Sequence, residues 1–343
     1  MLIQTFWEAI LQGAVFTDLP TAFYVGAFFL FGITFGSFLN VCIYRLPREL
    51  SVVSPRSMCP NCGMAIAFYD NIPVLSWIML RGRCRNCKQP ISSRYAAVEL
   101  LTGIMFVLAY LTPRADWFIA SYRRNVLGSF DPVPAPYEAN AIAFQLCVLA
   151  FLLIGLIFTD AETKLLPDLL TKPGIAVGLL FSLVVPVEGP AAIFLSSVDN
   201  WRILSLLNSL AGALLGSAFI LGVGLLYEAL RKVEGMGRGD VKLMGLIGAF
   251  VGIKLTLLVL LLGSLVGSLF GLLLILAVWR KRLARRRRTS AKESMGESSR
   301  RAWQSAKLIY RNFEIPFGVF LGTGALVAAF WGNALVRWYM SFY

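Results

Sequence analysis

The chain has 343 residues, of which 57% are hydrophobic and only 15% charged, with a formal net charge of +13 and a mean hydropathy of +0.71. Soluble domains are nearer half apolar and a quarter charged, so this composition excludes an ordinary soluble protein and predicts a polytopic membrane protein. Histidine is absent, which excludes a Ser-His-Asp triad, a Cys-His pair and an HExxH zinc protease and leaves proton transfer to carboxylates, Lys, Tyr, Cys or a metal-bound water.

Apolar runs recur along the chain, each roughly 17 to 25 residues long and able to cross about 30 Å of hydrocarbon as a helix. We predict membrane-spanning helices at 21–42, 96–112, 139–159, 169–187, 203–229, 255–279 and 315–336. A shorter run, 241–253, is a weaker eighth candidate. The predicted fold class is therefore an all-α polytopic membrane protein with about eight transmembrane helices.

Lys and Arg residues are concentrated between the predicted helices. Of the 32 basic residues, 26 fall in segments 45–94, 164–172, 231–242 and 280–311. Because basic loops stay in the cytosol, this bias places these four segments there and both termini outside. An even number of crossings must then separate 231–242 from 280–311, which supports a crossing at 241–253; a re-entrant hairpin there would break that parity.

Most of the excess positive charge lies beside predicted membrane helices, where Lys and Arg set topology and contact anionic lipid headgroups. We therefore expect membrane lipid as a partner and no nucleic acid. The run RKRLARRRR at 280–288 predicts a basic cytosolic excursion over 280–311.

The large cytosolic loop carries two paired-cysteine motifs, CPNC at 59–62 and CRNC at 84–87. This spacing allows four thiolates to form a tetrahedral site suited to Zn²⁺. Two disulfides are a poorer explanation because the loop faces a reducing compartment. Four thiolates leave no open coordination position for catalysis, so the predicted zinc is structural. The predicted ligands are Cys59, Cys62, Cys84 and Cys87.

Two sequence motifs place carboxylates at the cytosolic membrane face. TDAETKLLPD contains Asp160 and Asp168, and GMGRGD ends at Asp240. Two carboxylates at one depth can share a proton if their helices pack together, and one can then activate water while the other protonates a scissile carbonyl. The glycines before Asp240 permit close backbone approach. Helix capping and a Gly-Asp turn explain the same residues without catalysis, and spacing alone leaves both interpretations open.

The GxGD motif at 237–240, together with DAETKLLPD, resembles the signature of the aspartyl proteases that process type IV prepilins. Further motifs occur in the same order as in that family. One position departs from the family pattern: Val319 follows the IPFG motif, where we expect proline. These motifs are GSFLNVCIYRLP at 36–47, the four cysteines, DNIPVLSW at 70–77, LRGRC at 80–84, ISSRYAAVELLTG at 91–103 and IPFG at 315–318. The chain is thus similar to the bifunctional prepilin peptidases and N-methyltransferases of bacterial inner membranes.

This resemblance implies two reactions. The basic leader of a type IV prepilin or type II secretion pseudopilin is cleaved at the cytosolic face, and the new amino terminus is methylated from S-adenosylmethionine. It implies Asp160 and Asp240 as the catalytic pair, with Asp168 and Glu162 as lesser candidates. It also assigns methyl transfer to the four-cysteine loop and points to Gly82, which a turn beside Cys84 would equally require.

The sequence divides into an N-terminal segment with the first helix at 1–44, the four-cysteine loop at 45–95, and a peptidase domain at 96–343.

Glu99, near the start of a predicted helix, is a further candidate functional residue, since ionisable groups in membranes are costly. Pairing with Arg94 would also explain it. Two other functions stay open: a peptidase without methyltransferase activity, and a transporter in which Asp160 and Asp240 bind ions or relay protons.

Overall fold

The computed structural model describes residues 19–127, 136–194, 200–232, 237–289, 299–305 and 316–342. The regular elements in these ranges are helices, and extended pairing is confined to two isolated β-bridges. In chain order the α-helices are α1 Leu19–Arg45, α2 Leu75–Met79, α3 Arg94–Leu127, α4 Pro136–Thr163, α5 Asp168–Phe181, α6 Ala191–Phe194, α7 Trp201–Arg231, α8 Arg238–Thr289 and α9 Phe317–Met340. The all-α prediction is confirmed for the described residues.

Six helical segments within the described ranges are long and apolar enough to cross a membrane, which confirms a polytopic membrane protein. They are Thr21–Arg48, Arg94–Pro113, Ala139–Thr163, Trp201–Arg231, Arg238–Arg286 and Phe317–Met340. The predicted number of eight crossings is not confirmed, because the two remaining predicted spans form shorter helices.

The first of these short helices is α5, whose 14 residues rise about 21 Å, less than the roughly 30 Å of a typical hydrocarbon core. The second is the start of α8, which is broken at Gly252, where φ is 72° and ψ is −179°. We refer to 238–251 as α8a and to 253–289 as α8b.

The chain reverses at the break between α8a and α8b. The Ser217 hydroxyl of α7 donates to the Val241 carbonyl at 3.0 Å, so α8a begins beside the second half of α7. A methyl group added at Gly216 would lie 2.9 Å from the Met244 carbonyl oxygen and 3.1 Å from Thr256 Cγ2. Twelve residues of straight helix would separate Met244 from Thr256 by about 18 Å, so α8b must return along α7. The parity argument from the basic segments requires such a reversal.

The helices pack in two groups joined by α4. On one side α1 packs against α3 and α4, and on the other α8 packs against α7 and α9. Phe35 of α1 contacts both Phe106 of α3 and Phe151 of α4, each at a ring-centroid distance of 6.0 Å. Arg94 at the start of α3 forms an ion pair with Glu162 at the end of α4, so these two helices run antiparallel.

The basic excursion predicted at 280–311 lies partly outside the described residues. Its first part continues α8b as a helix to Thr289. The helical residues 299–305 then lie against the end of α8b, where the indole N–H of Trp279 donates to the Ser299 carbonyl at 3.4 Å and the Trp279 and Trp303 rings meet edge to face.

Candidate active site and metal centre

Asp160 and Asp240 are brought together by three helices. Asp160 lies in the last turn of α4, Asp240 in the first turn of α8a, and Gly318 at the start of α9 lies between them. A methyl group added at Gly318 would lie 2.8 Å from Asp160 Oδ2 and 3.3 Å from Asp240 Oδ1, so these oxygens are at most about 6 Å apart, the sum of the two distances. Both side chains are buried, with 5% and 8% of each residue exposed.

The N-terminus of α9 supplies hydrogen-bond donors to one member of the pair. The Val319 N–H donates to Asp160 Oδ2 at 3.0 Å, and the Gly318 N–H also interacts with this carboxylate. The first N–H groups of a helix lack intrahelical partners and carry partial positive charge. Proline has no N–H, so the valine at this position provides a donor that the expected family residue lacks.

Close packing joins the two carboxylate motifs. A side chain at Gly239 would meet Leu166, whose Cβ lies 3.0 Å from the Cβ position. The Asp240 N–H donates to the Gly237 carbonyl at 3.1 Å, which starts the first turn of α8a. The earlier part of the GMGRGD motif, 235–236, lies outside the described residues.

The two lesser carboxylate candidates form ion pairs with basic side chains. Asp168 pairs with Lys172 at 2.7 Å and also with Lys242, and 46% of its side chain is exposed. It is the first residue of α5, whose N-cap is Pro167. Glu162 pairs with Arg94.

Glu99 does not pair with Arg94, contrary to the pairing considered from the sequence. Arg94 reaches Glu162 instead, while Glu99 Oε2 accepts the Val74 N–H at 2.7 Å. Val74 has a φ of 61°, an unusual value for a branched residue. Glu99 therefore fixes a strained position of the four-cysteine loop against α3.

The four predicted cysteine ligands form one cluster. The sulfur atoms of Cys59, Cys62, Cys84 and Cys87 all lie within 4.8 Å of one another, and the Cys59 and Cys87 sulfurs are 3.9 Å apart. Four thiolates at about 2.3 Å around a tetrahedral ion have sulfurs roughly 3.8 Å apart. The thiol geometry therefore fits a metal ion of the size of Zn²⁺.

The two halves of this cluster have the same backbone structure. The Cys59 N–H donates to Met64 and the Cys59 carbonyl accepts the Gly63 N–H, each at 2.9 Å. In the second half the Cys84 N–H donates to Gln89 at 2.9 Å and the Cys84 carbonyl accepts the Lys88 N–H at 3.0 Å. The residue after each pair has a positive φ, 68° at Gly63 and 58° at Lys88. Two CxxC turns of one type thus face each other.

The thiols differ in how readily they ionise. Backbone N–H groups of Cys87 and Asn86 lower the pKa of Cys84 to about 7. The pKa of Cys62 is also lowered, first by the Met64 backbone and then by the Asn86 side chain. The pKa of Cys87 is raised to about 11: the Gln89 backbone lowers it, but burial and the three neighbouring thiols together outweigh that effect. These turns therefore favour thiolates at two of the four positions.

Gly82 occupies a tight turn beside the cluster. Its φ is 64°, and a methyl group there would lie 3.0 Å from the Trp77 ring. Its carbonyl accepts the Ile91 N–H at 2.7 Å, and the Trp77 indole donates to the Ile91 carbonyl at 3.1 Å. This geometry requires glycine for structural reasons, and a role in methyl transfer stays a prediction.

Sequence reasoning did not assign Gly318 and the Val319 N–H to the carboxylate site. Gly318 is the last residue of the IPFG motif and Val319 follows it, and the apolar residues of this motif carry no chemical signal of their own. A methyl-sized gap between two carboxylates depends on how three distant helices pack, which a sequence pattern does not specify.

Comparisons with known proteins agree with this architecture. Residues 30–112 match the family model of the bacterial peptidase A24 N-terminal domain, and residues 147–272 match that of the type IV leader peptidase family. The chain is 32% identical over 342 residues to a prepilin leader peptidase/N-methyltransferase from Aeromonas hydrophila, covering 93% of this chain and 94% of that protein. A protein of the same name from Aeromonas salmonicida strain A449 is 33% identical, and the match covers 93% of this chain and 94% of that protein. Another, from Klebsiella pneumoniae, is 36% identical over 69% of this chain and 89% of its own length. No solved structure matches the chain significantly.

Proposed function

Because the chain belongs to the type IV leader peptidase family, we propose that it cleaves the basic leader peptide of type IV prepilins or type II secretion pseudopilins and methylates the new amino terminus. The observation that carries the cleavage proposal is the convergence of Asp160 and Asp240 on Gly318. The relatives that match nearly the whole chain are named for both activities, which supports methylation.

The surroundings of the two aspartates support different roles in peptide hydrolysis. Asp160 accepts the Val319 N–H at the start of α9, and donors of this kind stabilise a carboxylate anion. Two carboxylates whose oxygens lie at most about 6 Å apart repel each other when both are charged, which favours one proton on the pair. We assign Asp160 as the base that removes a proton from the attacking water, and Asp240 as the acid that protonates the scissile carbonyl oxygen. The proton then returns to the leaving amine through the same pair.

Methylation requires a methyl donor that the family name implies. S-Adenosylmethionine, when bound, supplies a methyl group on a cationic sulfur. That methyl group would pass to the amine lone pair of the new amino terminus, with the sulfur keeping the electron pair of the broken carbon–sulfur bond and water taking the proton released by the nitrogen. The chain must therefore hold this amine next to the methyl donor.

The four-cysteine cluster supports a structural zinc site. Its sulfurs have the spacing of a tetrahedral ion, and four thiolates leave no position for water or substrate. Bound zinc would stabilise the loop 45–95, which buries few side chains of its own. Gly82 would maintain the turn beside Cys84.

We propose location in the bacterial inner membrane, with the loop 45–95 and the aspartate pair at the cytosolic face and both termini in the periplasm. Support comes from the concentration of basic residues in four segments and from the reversal of the chain between α8a and α8b. The corresponding functional division is an N-terminal segment 1–44, a methyltransferase-associated loop 45–95 and a peptidase domain 96–343.

The test is reconstitution of the purified protein with a prepilin and S-adenosylmethionine, followed by intact-mass measurement of the product. Loss of the leader together with the mass of one added methyl group supports both activities. Cleavage without added mass would reduce the proposal to a peptidase. Absence of cleavage by folded protein across several prepilins and pseudopilins would overturn it.

A further inference from the structure

The four-cysteine loop has an apolar surface that the described protein leaves uncovered. From residue 57 to residue 80 the only charged residue is Asp70, whose side chain is 10% exposed and pairs with Arg85 at 2.6 Å. Five large apolar side chains of this stretch, which we call the apolar edge, are between 46% and 81% exposed. They are Phe68, Ile72, Leu75, Ile78 and Met79. A contiguous exposed apolar surface of this kind marks a contact with a protein or a membrane.

The short helix α2 turns its apolar side outward. Its members of the apolar edge lie three and four positions apart, so they share one face of the helix. The polar groups point into the loop: the buried Ser76 hydroxyl donates to the Tyr69 carbonyl, and the Trp77 indole donates to the Ile91 carbonyl, each at 3.1 Å. A helix on the surface of a water-soluble domain has the reverse arrangement, with its apolar stripe toward the core.

Two contacts place α2 beside the membrane-spanning helices. The Val74 N–H, directly before α2, donates to Glu99 Oε2 at 2.7 Å, and Glu99 is about 7.5 Å along the membrane-spanning segment that starts at Arg94. A methyl group added at Gly36 would lie 2.7 Å from the Glu99 Cα, and Gly36 is about 13.5 Å along α1 from its last residue, Arg45. The backbone that leads into α2 is therefore held at the level of the membrane-spanning parts of α1 and α3.

A cavity of about 450 Å³ connects the apolar edge to the outer face of α1. Its lining joins Phe68 and Pro73 of the loop to a stretch of α1 that extends from Thr34 to Arg45, about 16.5 Å of helix. Phe38 in this stretch is 46% exposed on a membrane-spanning segment. The apolar edge is thus continuous with a surface of α1 that contacts lipid.

The charges around the apolar edge complement anionic phospholipid headgroups. The described lining of the α1-side cavity contains two arginines, Arg45 and Arg56, and no acidic side chain. Directly after the edge, Arg81, Arg83 and Lys88 line a second cavity of about 440 Å³. Basic side chains beside an exposed apolar face are the pattern of segments that lie in the membrane interface, where they contact lipid phosphates.

We propose that the apolar edge of the four-cysteine loop is inserted into the adjoining membrane leaflet, the cytosolic one in the proposed orientation, with phospholipid as its partner. Acyl chains contact the edge and the exposed face of α1, and the neighbouring arginines bind headgroup phosphates. The loop is then an interfacial part of the membrane protein, and its position depends on neither of the two proposed enzymatic activities.

The test uses the full chain in vesicles of phosphatidylethanolamine and phosphatidylglycerol. An environment-sensitive fluorescent amino acid replaces Phe68 in one variant and Met79 in another, both of which are exposed side chains. Phospholipids with a nitroxide on the acyl chain quench the label from the lipid, and iodide quenches it from water. At both positions we expect acyl-chain quenching, blue-shifted emission and loss of iodide quenching.

Two further positions calibrate the measurement. The same label at Phe31, an exposed residue of the membrane-spanning part of α1, reports contact with lipid. At Gln89, an exposed polar residue of the same loop, it reports contact with water. The labels on the apolar edge should behave like the label at Phe31. A measurement without any substitution supports the labelled variants: in the wild-type chain, a phospholipid with a photoreactive acyl chain should attach to peptides from residues 68–79.

Other occupants of the apolar edge give different results. Iodide quenching as strong as at Gln89, without acyl-chain quenching or photoattachment, would overturn the inference. If added prepilin then removed the iodide quenching, the edge would bind substrate instead of lipid. Protection from both quenchers that disappears when the protein is diluted in lipid would make the edge a contact between two copies of the chain, and would also overturn it. Prepilin cleavage and methylation are measured separately, so failure of this inference leaves the proposed function standing.

Discussion

The aspartate pair and the four-cysteine loop are held in place by opposite means. Around Asp240 the helix α8a is densely packed, and Leu243, Met244, Leu246 and Ile247 are completely buried. In the described loop residues 50–93 only Cys59, Ser76 and Gly82 are buried. The aspartates are positioned by helices distant in sequence, whereas the thiols are positioned by two local turns, and the proposed zinc ion would complete that structure. Substitutions should therefore separate the two regions.

The largest effect is expected from Asp160→Asn and Asp240→Asn, made separately. Each variant keeps the size of the side chain and removes its ability to exchange a proton. We expect kcat for prepilin cleavage to fall by about 10³-fold, within the range of about 10²–10⁴ for general acid–base catalysis. Leader removal measured by mass spectrometry is the readout, with metal content as the control because the cysteine loop should be unchanged. A variant that keeps a tenth of wild-type activity would contradict the assignment.

Gly318→Ala tests whether the aspartates are positioned by packing. The added methyl group would lie 2.8 Å from an Asp160 oxygen and 3.3 Å from an Asp240 oxygen, so the carboxylates or α9 must move apart. A displacement of about 1 Å can cost about 10²-fold in rate, which is the expected loss of cleavage. Gly222→Ala is the matched control, because nothing lies within 4 Å of its added methyl group. Equal cleavage by the two variants would show that the contact at Gly318 is irrelevant.

Cys59→Ser tests the four-cysteine loop. Loss of one thiolate should release the metal and lower methylation by at least about tenfold, the scale on which even supporting groups affect a metal site, while cleavage falls less. Metal content and the methylated fraction of mature pilin are the measurements. Cys42→Ala, a buried cysteine outside the cluster, is the control. Abolished cleavage in correctly folded Cys59→Ser protein would disprove the independence of the two regions.

The same contrast explains which features the sequence could predict. The cysteine cluster depends on two CxxC turns, whose spacing is visible in a short stretch of sequence, and the structure brings all four sulfurs together. The approach of Asp160 to Asp240 was predicted from topology and motif, and the structure places both beside Gly318. Their catalytic roles stay predictions.

Other features were not predictable because they depend on packing between distant helices. Hydropathy identified 241–253 and 255–279 as separate runs but gave no sign that Gly252 would meet Val187 at the reversal. In α7, Gly212 and Gly216 permit close packing against α8, whereas a methyl group added at Gly222 would meet nothing within 4 Å. Glycine composition alone does not reveal which face of a helix meets a neighbour.

The smallest effect is expected from Asp168→Asn. Asp168 lies in the same sequence motif as Asp160. Asp168 forms ion pairs with Lys172 and Lys242, but 46% of its side chain is exposed. Exposed ion pairs contribute about 0–1 kcal/mol, so cleavage and stability should stay within about twofold and about 1 kcal/mol of wild type. Kinetics of prepilin cleavage, compared with the identical substitution at Asp160, provide the measurement. If Asp168→Asn lost as much cleavage activity as Asp160→Asn, the ion pairs of Asp168 would be needed for cleavage. Burial between packed helices would then not distinguish the catalytic carboxylate from its neighbour.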